Sequence, residues 1–151
     1  MRSGLLCLAE ARRRTGPAGR VLAVEVGEAG RRRIERLGVA DAVLALDATQ
    51  ATEVLAAVEE ATAGRLCDVV ISCVSVPNAE MAAILACRDG GAVLFFSMAT
   101  SFSQAALGAE GVGKDVRLFM GNGYAKGHAE LALDWVRRDP ALRALFAELT
   151  A

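Results

Sequence analysis

Apolar positions recur along this chain in two patterns that alternate from one end to the other. Segments whose apolar residues return every three or four positions are typical of helices, and short apolar runs between glycine, proline or polar residues are typical of strands. Together they predict a helix, five strand–helix repeats and a closing helix. The predicted helices are 3–15, 28–37, 49–63, 77–88, 101–110, 124–138 and 140–149, and the predicted strands are 20–26, 42–46, 68–74, 92–97 and 116–120.

This alternation indicates an α/β fold with a doubly wound, Rossmann-like parallel sheet. Residues 68–74 form an unbroken apolar run, as expected of a strand that is buried on both faces of such a sheet. Because the pattern begins with a helix, the sheet is expected to lack its first strand. Residues 1–151 are therefore predicted to be a single nucleotide-binding domain, truncated at its N-terminus and without a catalytic domain.

The first strand of this fold lies at the centre of the sheet. Burial of its four or five aliphatic side chains contributes on the order of 10 kcal/mol, which is comparable with the roughly 5–15 kcal/mol of net stability of a domain. We therefore expect residues 21–26 to pair directly with residues 69–74, or another chain to fill the gap. Otherwise the chain should be partly disordered or prone to aggregate.

Composition and charge narrow the possible functions. The hydrophobic content of 54% over 151 residues is sufficient for a buried core. A formal net charge of −1 provides no field that would concentrate nucleic acid or an anionic membrane, so neither is an expected partner. No apolar stretch approaches the roughly 20 residues that span a bilayer, and the N-terminus has no signal-peptide core. A cytoplasmic location is expected.

The cysteines and the single histidine suggest little metal chemistry. The four cysteines form no CxxC pair and lie in apolar patterns, as expected of buried reduced thiols. With His128 as the only histidine, no zinc site is expected. His128 follows a glycine-rich segment with Tyr124 and Lys126, where a proton-transfer role is conceivable. A structural role is preferred, because a histidine satisfied by local contacts is common.

Two positions about twenty residues apart suggest a dinucleotide site. Ser3 and Gly4 lie where a phosphate-binding turn would end. Gly4 has no side chain, and a glycine at this point allows the helix to pack closely. Glu25 ends the first predicted strand, where a carboxylate binds the adenosine ribose and repels a 2′-phosphate, which favours NAD over NADP. Gly4 is otherwise an ordinary first-turn glycine, and Glu25 a solvated acid at a strand end.

Further candidates follow the other strands. Arg31, Arg32 and Arg33 resemble a 2′-phosphate clamp, but consecutive helical residues point in different directions, which favours a solvated face. Asp47, followed by Ala48, could approach an adenine amino group, or Asp47 or Thr49 could cap the next helix.

The loops after the strands at 68–74 and 92–97 are expected at the same edge of the sheet, where cofactors bind in this fold. Their candidate residues near a nicotinamide ring are Cys73, Val74, Ser97 and Met98. Either loop could instead be a plain turn between a strand and a helix.

Four stretches carry a resemblance to a known family. They are DVVISCV at 68–74, FFSMATSF at 95–102, ALGAEGVGKD at 106–115 and GNGYAKGHAE at 121–130. These stretches resemble the L-erythro-3,5-diaminohexanoate dehydrogenases of lysine fermentation, which are related to medium-chain, alcohol-dehydrogenase-like oxidoreductases. The resemblance runs along nearly all 151 residues and corresponds to the C-terminal part of the longer chains of that family.

The resemblance implies a chemical reaction. In it, NAD oxidatively deaminates a small amino-acid substrate, L-erythro-3,5-diaminohexanoate, to 5-amino-3-oxohexanoate, ammonia and NADH. It also implies a homo-oligomer, because medium-chain relatives commonly pair through the last strand of this sheet, here 116–120. The catalytic residues are expected in an absent domain that forms one wall of the substrate cleft. This chain alone is therefore expected to be inactive.

Two other classes remain open. An S-adenosylmethionine-binding, methyltransferase-like domain would use Glu25 and Asp47 to hold adenosine, although no Asn-Pro-Pro-Tyr motif follows the predicted strand at 68–74. The other alternative is a non-catalytic fragment that acts only by association with a complementary chain.

Overall fold

The computed structural model describes residues 2–121 and 124–149. Its helices are α1 (Arg2–Thr15), α2 (Glu28–Leu37), α3 (Ala51–Thr62), α4 (Glu80–Ala86), α5 (Phe102–Gly111), α6 (His128–Arg138) and α7 (Pro140–Glu148). Its strands are β1 (Leu22–Val24), β2 (Ala42–Leu44), β3 (Cys67–Ser72), β4 (Cys87–Phe95) and β5 (Arg117–Met120). All strand pairs are parallel, so the predicted α/β class and the predicted element order are confirmed.

Local backbone geometry explains where the observed elements depart from the predicted ones. Helix α4 begins at Glu80 rather than at Pro77, and Asn78 in the preceding turn has a left-handed φ of 66° that is incompatible with a helix. Helix α6 begins at His128 rather than at Tyr124, directly after Gly127 with a φ of 84°. Both helices are therefore shorter at their N-termini than the apolar pattern suggests.

Strand β4 begins at Cys87, before the predicted start at residue 92, and passes through Gly90 and Gly91. Cys67 of β3 pairs with Cys87 whereas Val69 pairs with Ala92, so β4 carries extra residues in a bulge. Gly90 has a φ of 71° there, and a Cβ on Gly91 would lie 2.5 Å from the Cys87 Sγ. The glycine pair therefore marks a bulge within a strand rather than the turn that precedes one.

The chain divides into two compact units. Unit 1 comprises the residues up to Ala45 and those from Tyr124 onward, and unit 2 is the segment between them. In unit 1, β1 pairs with β2, and the core is formed by buried residues from α1, β1, α2 and α7. In unit 2, the strand order is β3-β4-β5, and α4 and α5 contribute to the core. The prediction of one domain over 1–151 stays a prediction, and Met1, Asn122, Gly123, Thr150 and Ala151 lie outside the described residues.

The prediction that residues 68–74 are buried on both faces is wrong. The side chains of Val69 and Ile71 are 59% and 38% exposed, whereas Val70 packs against the core of unit 2 and Ser72 is buried. Strand β3 is an edge strand of its sheet, and the described residues cover only one of its faces. An apolar run therefore did not distinguish a central strand from an edge strand with an exposed apolar face.

The predicted direct pairing of residues 21–26 with 69–74 is also wrong for the described part of the chain. The strands form two sheets, in which β1 pairs with β2 and β3 pairs with β4. Association with another chain, or aggregation through these strand edges, stays a prediction.

Glu10 joins α1 to α6 within unit 1. Its carboxylate accepts hydrogen bonds from Arg13 Nε at 2.9 Å, Arg14 Nε at 2.6 Å and Trp135 Nε1 at 3.0 Å. These hydrogen bonds lower the pKa of Glu10 from 4.5 to about 2, and the one from Arg13 has the largest effect. Because the pKa is lower in the folded state than in the unfolded state, the ionised carboxylate stabilises the fold above pH 4.5, and this stabilisation is lost as the pH falls from 4.5 towards 2.

We expect Glu10→Gln to lower the free energy of unfolding at pH 7 by about 1 kcal/mol, a small value because the partner arginines are largely exposed and screened by solvent. The difference from the unaltered chain should shrink as the pH falls below 4.5. Urea unfolding followed by circular dichroism at several pH values measures it. Glu35→Gln, at an exposed position of α2, is the control, and a difference that is constant with pH would contradict the assigned role of the Glu10 charge.

Candidate cofactor-binding site

Glu25 follows β1 immediately and is held by the backbone around it. Its N–H donates to Leu44 O at 3.0 Å, which continues the pairing of β1 with β2. Its Oε1 accepts from the N–H of Gly27, the residue before α2, at 2.8 Å. Among the described residues, no protein donor contacts the other carboxylate oxygen. The half-buried Glu25 is thus held at the carboxyl end of a strand by main-chain hydrogen bonds, and its contact with a ribose stays a prediction.

The three consecutive arginines of α2, Arg31, Arg32 and Arg33, do not all share the same contacts. Arg31 Nη1 donates to Glu25 O at 3.3 Å and to Val26 O. Arg32 pairs with Glu28 on the exposed face of the helix, and Arg32, Arg33 and Arg36 line one shallow surface cavity. The interpretation of a solvated face therefore holds for Arg32, whereas Arg31 lies against the backbone next to Glu25.

Ser3 and Gly4 lie in the first turn of α1. A Cβ built on Gly4 would meet no heavy atom within 4 Å, so no packing among the described residues requires a glycine there. The predicted close packing of a strand against Gly4 stays a prediction. A cofactor-binding role for Ser3 and Gly4 stays a prediction.

Asp47 closes a turn before α3 in unit 2. Its Oδ1 accepts hydrogen bonds from both the N–H and the Oγ1 of Thr49 at 2.9 Å, and these bonds lower the pKa of the Asp47 carboxyl below its usual range. Gln50, without a side-chain hydrogen bond, is the N-terminal cap of α3. Neither Asp47 nor Thr49 therefore caps the helix. Contact of exposed Asp47 or half-buried Ala48 with adenine stays a prediction.

The loops after β3 and β4 lie side by side at the carboxyl edge of the sheet of unit 2. Ser72 pairs with Phe95, and Phe96 N–H donates to Ser72 O at 3.0 Å, so the pairing continues to the start of both loops. This brings together the four candidates that sequence reasoning assigned to this edge. They are Cys73, Val74 and Ser97, which are half-buried, and Met98, which is 93% exposed.

The loop after β4 is ordered by its own hydrogen bonds. Ser97 Oγ accepts from Ala99 N–H at 3.1 Å, and Thr100 N–H donates to Ser97 O at 3.2 Å. Ser101 then caps α5, since its Oγ accepts from Gln104 N–H at 3.3 Å. The loop is therefore a defined turn that presents Met98 outward.

Sequence reasoning missed Glu80, the first residue of α4. Its side chain is 3% exposed, and its Oε1 accepts from Ser101 N–H at 2.7 Å, so it connects the start of α4 to the end of the loop after β4. The available signal was an acid that is followed by the apolar residues 81–86. An acid in such a context is either a helix-start residue or a buried acceptor, and only the structure distinguishes the two.

His128 makes local contacts at the start of α6. Its Nδ1 lies 2.6 Å from Ala125 O, and its ring packs edge to face on Tyr124 with the ring centroids 5.2 Å apart. The side chain is exposed, and the choice between a structural and a proton-transfer role stays a prediction. Asn122 and Gly123, in the motif before it, lie outside the described residues.

The cysteines of β3 and β4 have the properties of inert thiols. Cys87 is fully buried and Cys67 is half-buried, and burial raises the thiol pKa of both. Since the thiolate is the reactive form, neither is activated as a nucleophile. Within residues 2–121 and 124–149, no group of three or more His, Cys, Asp or Glu side chains could hold a metal ion.

No helix in the described ranges combines the length and the apolar character that crossing a membrane requires.

Parallel strands connected through helices, with candidate polar groups at their carboxyl ends, define the Rossmann-type class of nucleotide-binding α/β folds. Solved structures of this kind are similar to the chain: AibC with a TM-score of 0.63 at 22% identity, and a mycobacterial quinone oxidoreductase with a TM-score of 0.64 at 19% identity. Both comparisons cover 93% of this chain, and they cover 34% and 48% of the respective structures. A mycobacterial protein complexed with NADPH has a TM-score of 0.55 at 18% identity, covering 83% of this chain and 45% of that structure.

The sequence comparison is more specific. The chain is 46% identical over 148 residues to L-erythro-3,5-diaminohexanoate dehydrogenase of Acetoanaerobium sticklandii and 45% identical to that of Fusobacterium nucleatum. The matches cover 98% of this chain but only 43% of each relative, in their C-terminal part. The resemblance stated from the sequence is therefore confirmed. No family model matches the chain.

Proposed function

We propose that this chain is the nucleotide-binding part of an NAD-dependent oxidoreductase that oxidatively deaminates L-erythro-3,5-diaminohexanoate to 5-amino-3-oxohexanoate during lysine degradation. The observation that carries this proposal is the identity of 46% over 148 residues to a dehydrogenase of that name. The Rossmann-type fold supports it, because this fold places a dinucleotide at the carboxyl ends of its strands.

The residues of unit 1 fit the adenosine half of a nicotinamide dinucleotide. Glu25 ends β1 with one carboxylate oxygen held by Gly27 N–H, and its other oxygen suits a ribose hydroxyl. The same negative charge disfavours a 2′-phosphate, which supports NAD rather than NADP. Arg31 donates to main-chain carbonyls beside Glu25, so its guanidinium already has acceptors within the protein.

The carboxyl edge of unit 2 supplies the proposed surroundings of the nicotinamide half. Cys73, Val74, Ser97 and Met98 lie there on two adjacent loops. The bound cofactor would supply the hydride acceptor of the reaction. These side chains would limit access of water and orient the ring, and no described residue of this edge is assigned a proton-transfer role.

We expect the isolated chain to bind NAD with an affinity that Glu25→Ala weakens about ten- to a hundredfold, because a hydrogen bond to a charged group contributes roughly 1.5–3 kcal/mol. The preference for NAD over NADP should fall in the same variant, since the charge that opposes the 2′-phosphate is gone. Calorimetric titration with NAD, NADP and S-adenosylmethionine measures both effects, and Glu35→Ala is the control. Unchanged affinity in Glu25→Ala would contradict the assigned ribose contact.

The same titration distinguishes the alternative classes. Binding of S-adenosylmethionine without NAD would replace the dehydrogenase proposal by the methyltransferase-like one. Binding of none of these ligands would favour a fragment that acts by association.

We also expect no diaminohexanoate-dependent formation of NADH by this chain alone. The chain spans 43% of the curated relatives, and hydride transfer requires a substrate held against the nicotinamide ring in a near-attack geometry. Absorbance at the NADH band, with purified chain, substrate and NAD, is the assay. Turnover at the rate of an ordinary dehydrogenase would refute the expectation.

The proposal extends to partners and location. A homo-oligomer that pairs through β5 is supported by the position of that strand at the edge of its sheet and by the 52% exposure of Phe119. The net charge of −1 supports a small-molecule substrate rather than nucleic acid or a membrane. A cytoplasmic location is part of the same proposal, as the thiol state of Cys7, Cys67, Cys73 and Cys87 suits a reducing compartment.

A further inference from the structure

Glu80 is an ionisable side chain in an unusual position. It is 3% exposed, whereas acids are rarely so deeply buried unless a hydrogen bond satisfies them. Ala79 before it and Ala82, Ala83 and Ile84 after it are also buried, so the carboxylate lies at the start of an otherwise apolar helix. An apolar side chain at this position would suit the helix equally well, so the role of Glu80 depends on which group its carboxylate binds.

The hydrogen bond of Glu80 identifies the segment on which it acts. Its Oε1 accepts from Ser101 N–H at 2.7 Å, across a sequence separation of 21 residues. Ser101 is the N-terminal cap of α5 and the last residue of the loop after β4. At the other end of that loop, Phe96 N–H donates to Ser72 O at 3.0 Å. Residues 97–100 are therefore held between a sheet hydrogen bond and the Glu80 carboxylate.

We infer that Glu80 is a positioning residue that fixes Ser101 and thereby sets the conformation in which residues 97–100 contact the nicotinamide half of the cofactor. This inference rests on the proposed function, because it takes a nicotinamide dinucleotide as the ligand. Glu80 itself does not touch the cofactor. Its carboxylate oxygen keeps the N–H of Ser101 engaged, and the internal turn of Ser97 and Met98 is held in place by that anchor.

A purely structural role for Glu80 would have a different consequence. Loss of packing around α4 would weaken every ligand contact and lower the stability of unit 2. Loss of the Ser101 anchor would instead disturb one loop and one half of the dinucleotide. The two roles are separated by comparing NADH with ADP-ribose, which carries the adenosine and diphosphate groups without the nicotinamide ring.

The test compares Glu80→Leu, which removes the acceptor, with Glu80→Gln, which keeps a carbonyl oxygen for Ser101 N–H. Glu110→Gln, at an exposed position of α5, is the matched control. Amide hydrogen exchange reports on Ser101 directly, and titration gives the affinities for NADH and ADP-ribose. We expect Glu80→Leu to accelerate exchange at Ser101 and to weaken NADH binding about tenfold, with the ADP-ribose affinity unchanged. Glu80→Gln should restore both properties to within about twofold.

Each other outcome has a defined meaning. Equal NADH affinity in Glu80→Leu and the unaltered chain, or equal weakening of NADH and ADP-ribose, overturns the positioning role while the proposed function stands. An unaltered chain that binds ADP-ribose but not NADH refutes the nicotinamide contact of residues 97–100. If the unaltered chain binds neither NADH nor ADP-ribose, the proposed function and the inference that rests on it are both contradicted. Hydrogen exchange at Ser101 then decides only whether Glu80 anchors the loop.

Discussion

Replacement of Phe95 by alanine is expected to lower the free energy of unfolding by about 3–5 kcal/mol, as is typical of a buried phenylalanine. Phe95 is 2% exposed and lies at the carboxyl end of β4, in the core of unit 2 with Ile84, Val93 and Ala105. Truncation leaves a cavity that a sheet and two helices cannot close without distortion. Since a domain has roughly 5–15 kcal/mol of net stability, this loss should unfold a substantial fraction of unit 2 at physiological temperature.

Phe102→Ala provides the matched control for this prediction. Phe102 begins α5 in the same unit but is 64% exposed, so its truncation removes much less buried surface and should cost about 1 kcal/mol or less. Urea unfolding followed by far-ultraviolet circular dichroism compares the two variants. Equal destabilisation by both would show that Phe95 does not occupy the core in solution as described.

Replacement of Arg12 by alanine is expected to destabilise unit 1 by about 2–3 kcal/mol, because several backbone acceptors lose a charged donor at once. Arg12 on α1 donates to Val39 O at 3.0 Å, to Gly16 O at 3.0 Å and to Gly19 O at 2.9 Å. It also pairs with Asp41, whose Oδ2 accepts from Val21 N–H at 2.6 Å. One guanidinium thus fixes the end of α1 and the segments before both strands of unit 1.

The appropriate control is Arg32→Ala, since Arg32 forms an exposed pair with Glu28 on α2 that contributes roughly 0.3–0.5 kcal/mol. Arg12→Lys should recover little of the loss, because a lysine ammonium cannot reproduce the planar fork of donors. The fluorescence of Trp135, the single tryptophan and a residue of unit 1, follows unfolding of this unit. If Arg12→Ala and Arg32→Ala have the same free energy of unfolding, the role assigned to the Arg12 guanidinium is refuted.

The sequence predicted the bounds of helices well where the residues that determine them are neighbours in the chain. Helix α2 has the predicted bounds because its apolar positions are spaced for a helix and Gly38, with a φ of 69°, ends it. Ser101 likewise marked the start of α5, since a serine before a helix accepts a hydrogen bond from its first turn. Such features depend on neighbours within a few residues and are therefore readable from the sequence.

The candidate site was only partly predictable. The carboxyl-edge position of Cys73, Val74, Ser97 and Met98 followed from parallel strand order alone. The contact of Glu80 with Ser101 could not be predicted, because it joins residues that are 21 positions apart and depends on how two loops pack. The exposure of Val69 was missed for a similar reason, since neighbouring strands and helices determine which faces of an apolar strand are covered.

The sequence by itself determined the order of helices and strands, the α/β class and the resemblance to diaminohexanoate dehydrogenases, because propensity, turn residues and family motifs are properties of short segments. Tertiary structure alone decided that the strands form separate sheets of two and three strands, that β3 is an edge strand, and that half-buried Arg12 and buried Glu80 hydrogen-bond to segments distant in sequence. These features depend on contacts between distant segments, and a hydrophobic pattern does not specify the partner against which each face packs.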